Sequence, residues 1–221
     1  MHIEPFDNQN QPIVDVGNDR VPLNYFNIVK LRHGEHYSYQ LSGYESCVVP
    51  ATGRVSVQVE NKEIAEVGLR TEDVWDGEPE GVYVPTGLSC IVECLSETAE
   101  VFVAGAKFGQ TLAPFAVLAD DIDMVQYGSD DTKTHRKIKH ILGQKQHGLV
   151  GRLLVSELFT VGAGGWSGFP SHKHSVDRAG ETKHDETYNF RFKPNDGGAL
   201  QLLQRSDSEP GEAFHVVDGS T

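Results

Sequence analysis

The sequence predicts an all-β protein made of two consecutive β units. Short runs that alternate apolar and polar residues recur along the 221 residues, the period-two signature of half-buried strands. Glycine accounts for 23 of the 221 residues, about 10% against a usual ~7%, which favours a turn-rich, strand-rich chain. A charged, weakly patterned stretch over 120–147 separates two blocks of strand signals, so we place the units at 1–145 and 146–221.

In the first block, residues 55–60 (VSVQVE) alternate cleanly. Residues 81–85 (GVYVP) stop at the turn signal Thr86-Gly87, and the runs 90–95 (CIVECL) and 101–104 (VFVA) follow at the spacing of a sandwich or barrel. Glu97-Thr98 lies between the last two runs and predicts a hairpin loop. Residues 120–147 read as a linker or surface crossover, with the basic run 132–140 as a solvated face rather than an anion site. Strand signals resume at 153–160, 187–192, 199–203 and 213–217. Asp218-Gly219 is a hairpin-turn dipeptide with no return strand after it, from which we expect a chain cut inside its second unit.

Composition excludes several function classes. The charge is 19 − 32 = −13, which repels phosphate backbones and argues against nucleic acid. No apolar run approaches the ~18 residues of a membrane span, and the first residues carry neither the positive nor the apolar region of a secretory signal. Cys47, Cys90 and Cys94 are odd in number and sit in strand runs; they read as core residues of a protein in a reducing cytoplasm. The sequence has neither a phosphate loop nor a G-x-S-x-G nucleophile elbow.

The densest polar constellation is Ser171-His172-Lys173-His174, followed by Glu186. Residues two apart on an extended segment point to one side, so His172 and His174 can aim at one point with Lys173 turned away. Glu186 shares its face with Tyr188, Phe190 and Phe192, which puts a carboxylate at an apolar rim, a costly place unless it is paired or metal-bound. Two imidazoles and a carboxylate are usual donors for Zn, Mn, Fe or Ni. Asp177, Glu181 and Asp185 compete for the carboxylate position. His184 and His215 are spare candidates, His184 because it shares the Glu186 face if the strand begins early.

Residues 165–174 (GWSGFPSHKH) and 185–192 (DETYNFRF) together resemble the signature of the KduI/IolB-type bicupins, the group of the 5-deoxy-glucuronate isomerases. A looser match covers Gly34-Glu35, Glu45, Gly53, the loop 69–75 and residues 82–87, so the likeness spans nearly the whole chain. Departures are Ser171 for Pro, Ser175 for Asp, Thr187 for Ile, Asn189 for Tyr and the sequence Arg70-Thr71-Glu72-Asp73 in the first-half loop. The resemblance implies two cupin (RmlC-like jelly-roll) barrels, the first metal-free and the second metal-binding and incomplete. It implies a divalent ion, Zn or Mn, on His172, His174 and Glu186, with a further His expected beyond the Asp218-Gly219 turn.

The implied activity is that of an intramolecular oxidoreductase, an aldose–ketose isomerase converting 5-deoxy-D-glucuronate to 5-dehydro-2-deoxy-D-gluconate in the cytoplasmic catabolism of myo-inositol. Lys173, Tyr188 and Arg191 are then candidates for binding the substrate carboxylate or moving its proton. The implied partner is a small sugar acid, and a homo-oligomer is compatible. Three alternatives stand beside this reading: a 5-keto-4-deoxyuronate isomerase of pectin degradation, a cupin dioxygenase with Fe(II), and a sugar-binding cupin without turnover.

Overall fold

The structure, a computed structural model, describes residues 1–168, 172, 174–204 and 210–221. Among them are fourteen strands and two single turns of 3-10 helix, with no α-helix. The chain divides into two compact units, 9–185 and 1–8 with 186–221.

The larger unit begins with nine strands in two sheets. These are β1 (Asn24–Arg32), β2 (His36–Gln40), β3 (Tyr44–Thr52), β4 (Val55–Val59), β5 (Lys62–Val67), β6 (Gly81–Val84), β7 (Ser89–Cys94), β8 (Thr98–Lys107) and β9 (Phe115–Val117). One sheet runs β1-β8-β3-β6-β9 and the other β2-β7-β4-β5, every pairing antiparallel. Alternate residues of both sheets, among them Val29, Val48, Val57, Val82, Val92 and Val101, meet in a single core. β3 is buried on both faces, which explains its unbroken apolar run: Val48 points into that core, while Cys47 and Val49 join Tyr83, Ile141, Leu142 and Leu153 in a second cluster. The turn after β3 needs glycine. Gly53 has φ +77°, and a β-carbon there would meet the Thr98 carbonyl oxygen at 2.2 Å.

Two sequence expectations are corrected in this unit. Residues 95–97 do not form a hairpin: β7 lies in the four-stranded sheet and β8 in the five-stranded one, so this link crosses between sheets. Residues 120–147 are not a structureless linker. They contain β10 (Asp123–Tyr127) and β11 (Arg136–Leu142), which pair with each other and with β12 (Val155–Thr160). Charge hid the period-two pattern. Lys139 lies across the Phe159 ring, 5.2 Å from its centroid, and reaches Glu78 at 3.1 Å, so a basic residue covers apolar surface there.

Two polar clamps fasten the loops. Glu45, fully buried in β3, accepts hydrogen bonds from the Tyr83 hydroxyl (2.6 Å) and from the backbone N–H groups of Gly151 (2.8 Å), Arg152 (2.7 Å) and Leu153 (2.8 Å). Arg70, 2% exposed in the loop after β5, forms a bidentate pair with Glu157 of β12, both contacts at 2.6 Å. Asp76 holds that loop by accepting from the Thr71 hydroxyl and the N–H groups of 71–73; the Thr71 bonds lead in drawing its carboxyl well below the usual range. Breaking a buried ion pair by deleting one partner costs about 3–5 kcal/mol. Arg70→Ala is therefore expected to lower the free energy of unfolding by about that amount in a urea titration; a change below about 1 kcal/mol would contradict the clamp.

The smaller unit contains β13 (Gly198–Leu203) and β14 (Glu212–Val217), an antiparallel pair. The Asp218-Gly219 turn is present, with Gly219 at φ +84°. The segment after it pairs with the start of the chain, Thr221 and Ile3 exchanging backbone hydrogen bonds at 3.0 and 2.8 Å. The expected strand at 187–192 joins no ladder among the described residues. Its groups wrap the turn instead: Phe190 exchanges bonds with Gly219 and Ser220, Asn189 Nδ2 donates to both their carbonyls, and Phe192 N–H donates to Asp218 Oδ1.

Candidate metal centre

The segment that follows β12 folds back on itself. Ala179-Gly180 makes a tight turn, with Gly180 at φ +79°, and Arg178 and Glu181 exchange backbone bonds across it at 2.9 and 3.0 Å. Asp177 Oδ1 accepts from the Lys183 N–H (2.9 Å), and the His184 N–H donates to the His174 carbonyl (3.1 Å). His174 and His184, ten positions apart, are thus set side by side. Their rings stack with centroids 4.3 Å apart and planes inclined by 22°.

Glu186 follows His184 by two residues, so both can present side chains to one side of an extended run. One ligand atom from each of His174, His184 and Glu186 lies within 4.8 Å of the others. The ring of His172 packs edge-on against that of His174, centroids 5.2 Å apart. The two imidazoles of the H-x-H run therefore lie close together.

Hydrogen bonds fix what the two stacked imidazoles can do. His184 Nδ1 lies 2.9 Å from the Thr182 carbonyl, which can only accept, so Nδ1 carries the proton and Nε2 the lone pair. His174 Nδ1 lies 3.0 Å from a carboxylate oxygen of Glu181, which orients it the same way. Holding one ring nitrogen with an oxygen acceptor while the other stays a base is the usual arrangement around a metal-binding imidazole. The bond to His174, with the Arg178 charge adding to it, holds the Glu181 carboxyl below its ordinary range.

Glu186 Oε2 accepts from the Tyr188 hydroxyl at 2.9 Å. A divalent first-row ion takes nitrogen and oxygen donors at about 2.0–2.2 Å, so its ligands lie roughly 3–4 Å from one another. His174, His184 and Glu186 offer the donor types such an ion takes, gathered within 4.8 Å of one another.

The other sequence candidates fall as follows. Lys173 lies outside the described residues. Tyr188 is beside Glu186, whereas Arg191 Nε donates to Asn189 Oδ1 at 3.1 Å. Asp177 is engaged by the Lys183 backbone, and Asp185 Oδ2 accepts from the Leu23 N–H at 3.0 Å. His215 lies in β14 opposite Leu200. The face expected to look into a core does so only in part: Glu186 and Tyr188 are exposed, and Phe190 and Phe192 are half-buried.

A model of the KduI/IolB family matches residues 2–221. The chain belongs to the KduI/IolB family. Among the similar relatives of this family member is the 5-deoxy-glucuronate isomerase of Listeria innocua, 27% identical over 208 residues, covering 92% of this chain and 74% of the relative. The isomerase of the same name from Halalkalibacterium halodurans is 30% identical over 206 residues, covering 91% and 74%. An IolB-like protein from Salmonella typhimurium superposes with a TM-score of 0.87 over 99% of this chain and 82% of its own, at 25% identity. A glyoxylate-induced protein from Pseudomonas aeruginosa has a TM-score of 0.51 at 10% identity, over 90% of this chain and 64% of its own, a likeness of fold alone. The all-β, tandem-cupin fold class expected for this family member therefore stands.

His184 is the residue that sequence reasoning undervalued. Its signal was its parity with Glu186. What the sequence did not display is the tight turn at Ala179-Gly180, which brings His184 beside His174.

Proposed function

We propose that this chain is an aldose–ketose isomerase that converts 5-deoxy-D-glucuronate to 5-dehydro-2-deoxy-D-gluconate in the cytoplasm, with a divalent ion, Zn or Mn, as cofactor. The observation that carries this is the convergence of His174, His184 and Glu186, with both imidazoles oriented through Nδ1, in a member of the KduI/IolB family. The ring of His172 packs beside that of His174, outside this group of three donors. The relatives named above carry the name of this isomerase. The metal-binding barrel, the second of two, is part of the same proposal.

When bound, a divalent ion supplies Lewis-acid polarisation of the sugar's carbonyl and neighbouring hydroxyl oxygens. The remaining work falls to side chains. Glu181 and the Thr182 carbonyl hold Nδ1 of His174 and of His184 and so aim their Nε2 atoms. Tyr188 holds one oxygen of Glu186 and presents a phenol proton at the site. The substrate is an anion and the chain carries a net charge of −13, so a positive group must receive its carboxylate.

The reading is tested by following 5-deoxy-D-glucuronate by proton NMR with metal-loaded enzyme. Appearance of the 2-ketose supports it, and an unchanged spectrum at high enzyme concentration overturns it. Run in D₂O, the same experiment separates a proton shuttle, which incorporates deuterium, from a hydride shift, which does not. Glu181→Gln keeps the shape of the side chain but removes the charge that orients His174. Loss of such an orienting partner typically weakens metal affinity about 10- to 100-fold, which competition with a chromogenic chelator would measure; an unchanged affinity would contradict the role given to Glu181.

A further inference from the structure

The sheet formed by β10, β11 and β12 presents one face as a grid of three cross-strand rows. Register aligns Tyr127 with Arg136 and Thr160, Val125 with Ile138 and Leu158, and Asp123 with His140 and Ser156. Residues two apart on a strand share a face, so all nine lie on the same side. The middle row is apolar. Tyr127 is 52% and Leu158 40% exposed, so a ligand can reach this face.

Arg136 is the anomaly on it. Its Nε is buried and has no hydrogen-bond partner among the described residues, and no carboxylate there pairs with its guanidinium. Arg70 Nε is unpartnered too, but both terminal nitrogens of that guanidinium are held by Glu157, a carboxylate pair that Arg136 lacks among the described residues. The chain has 32 acidic residues and 19 basic ones, yet none of the described carboxylates pairs with this cation. A buried donor without a partner is a cost unless something supplies the acceptor. A guanidinium is the side chain best matched to a planar, two-oxygen acceptor, and apolar neighbours strengthen the attraction. Two rows away on the same face, His140 Nδ1 and Ser156 Oγ are 2.7 Å apart and offer further hydrogen-bonding groups.

We propose that Arg136 is the carboxylate-binding residue for the sugar acid, with the β10–β11–β12 face as the substrate-binding surface. This rests on the isomerase reading for the identity of the anion, and it assigns to Arg136 the carboxylate role that the family resemblance leaves to Lys173, Tyr188 or Arg191.

The test compares wild type with Arg136→Gln and Arg136→Lys, using calorimetric titration with D-glucuronate and with neutral D-glucose, alongside steady-state kinetics on 5-deoxy-D-glucuronate. A charge-assisted hydrogen bond of this kind corresponds to roughly 10- to 100-fold in affinity. We expect Arg136→Gln to weaken glucuronate binding and raise KM by that factor with kcat nearly unchanged, Arg136→Lys to recover part of the loss, and glucose binding to stay as in wild type. Glucuronate affinity and KM within twofold of wild type in Arg136→Gln would overturn the assignment while leaving the isomerase reading intact. Arg136-dependent glucuronate binding without turnover of 5-deoxy-D-glucuronate would overturn that reading and keep the binding site. A wild type that neither binds glucuronate nor turns over the substrate overturns both. Should Arg136→Gln fail to fold, phenylglyoxal modification of wild type decides the matter: glucuronate protects Arg136 if the assignment holds, and an unaltered rate of modification overturns it.

Discussion

Replacing Glu186 by alanine, or His174 by alanine, is expected to abolish isomerase activity and metal retention together. Each side chain is one of three donors whose ligand atoms fall within 4.8 Å of one another. Losing one leaves a two-donor remnant and disorders the set of charges that the reaction uses. Lewis-acid stabilisation supplies several kcal/mol, and every 1.36 kcal/mol is tenfold in rate, so we expect a fall in kcat/KM of about 10³-fold or more. His184→Ala is the sharper variant, because His184 is exposed and its ring makes no contribution to a buried core. Its fold should remain intact by circular dichroism while bound metal, measured after gel filtration, falls below one equivalent per chain. Full metal content and activity in His184→Ala would remove it from the ligand set and return that position to His172.

The largest effect on stability is expected at Glu45. Its carboxylate is fully buried and accepts four hydrogen bonds, three from consecutive backbone N–H groups at 151–153 and one from Tyr83. Glu45→Ala leaves all four donors without an acceptor. A buried donor left unsatisfied costs about 1–3 kcal/mol, so the sum approaches the roughly 5–15 kcal/mol by which domains are stable at all. We expect no cooperative unfolding transition for Glu45→Ala at 25 °C. Tyr83→Phe, which deletes one donor and leaves three bonds in place, should lower the unfolding free energy by only about 1–2 kcal/mol. Equal effects of the two substitutions, measured in urea, would show that the backbone bonds to 151–153 contribute nothing.

How much of this was legible in the sequence depended on whether local pattern or long-range closure set the structure. Alternation in 55–60 and 90–95 corresponds closely to β4 and β7, because one face of each is buried and the period survives in the residue types. The strand β11 was obscured because Lys137, Lys139 and Arg136 carry charge, although Lys139 uses its aliphatic stem against Phe159. The crossing at 95–97 reads like a hairpin because turn chemistry does not say which sheet receives the next strand. Tyr188, Phe190 and Phe192 suggested a ladder strand, but the groups at 189–192 bond to the turn at 218–220, a closure of about thirty residues that no local pattern encodes.

The candidate site divides the same way. His174 and Glu186 were visible from donor chemistry and strand parity. His184 became a ligand candidate only through the turn at Ala179-Gly180 and the bond from its N–H to the His174 carbonyl. Glu181 competes in the sequence for the carboxylate position; in the structure its Oε1 sits at Nδ1 of His174 and accepts from Arg178 as well.

The most direct measurement of the central claim is an anomalous difference map from crystals of the protein grown with Mn²⁺ or Zn²⁺. The account predicts one strong peak bonded to Nε2 of His174, Nε2 of His184 and a carboxylate oxygen of Glu186, at about 2.0–2.2 Å from each. A peak coordinated through Nδ1 of either histidine, or a fully loaded crystal with its metal elsewhere in the chain, would contradict it.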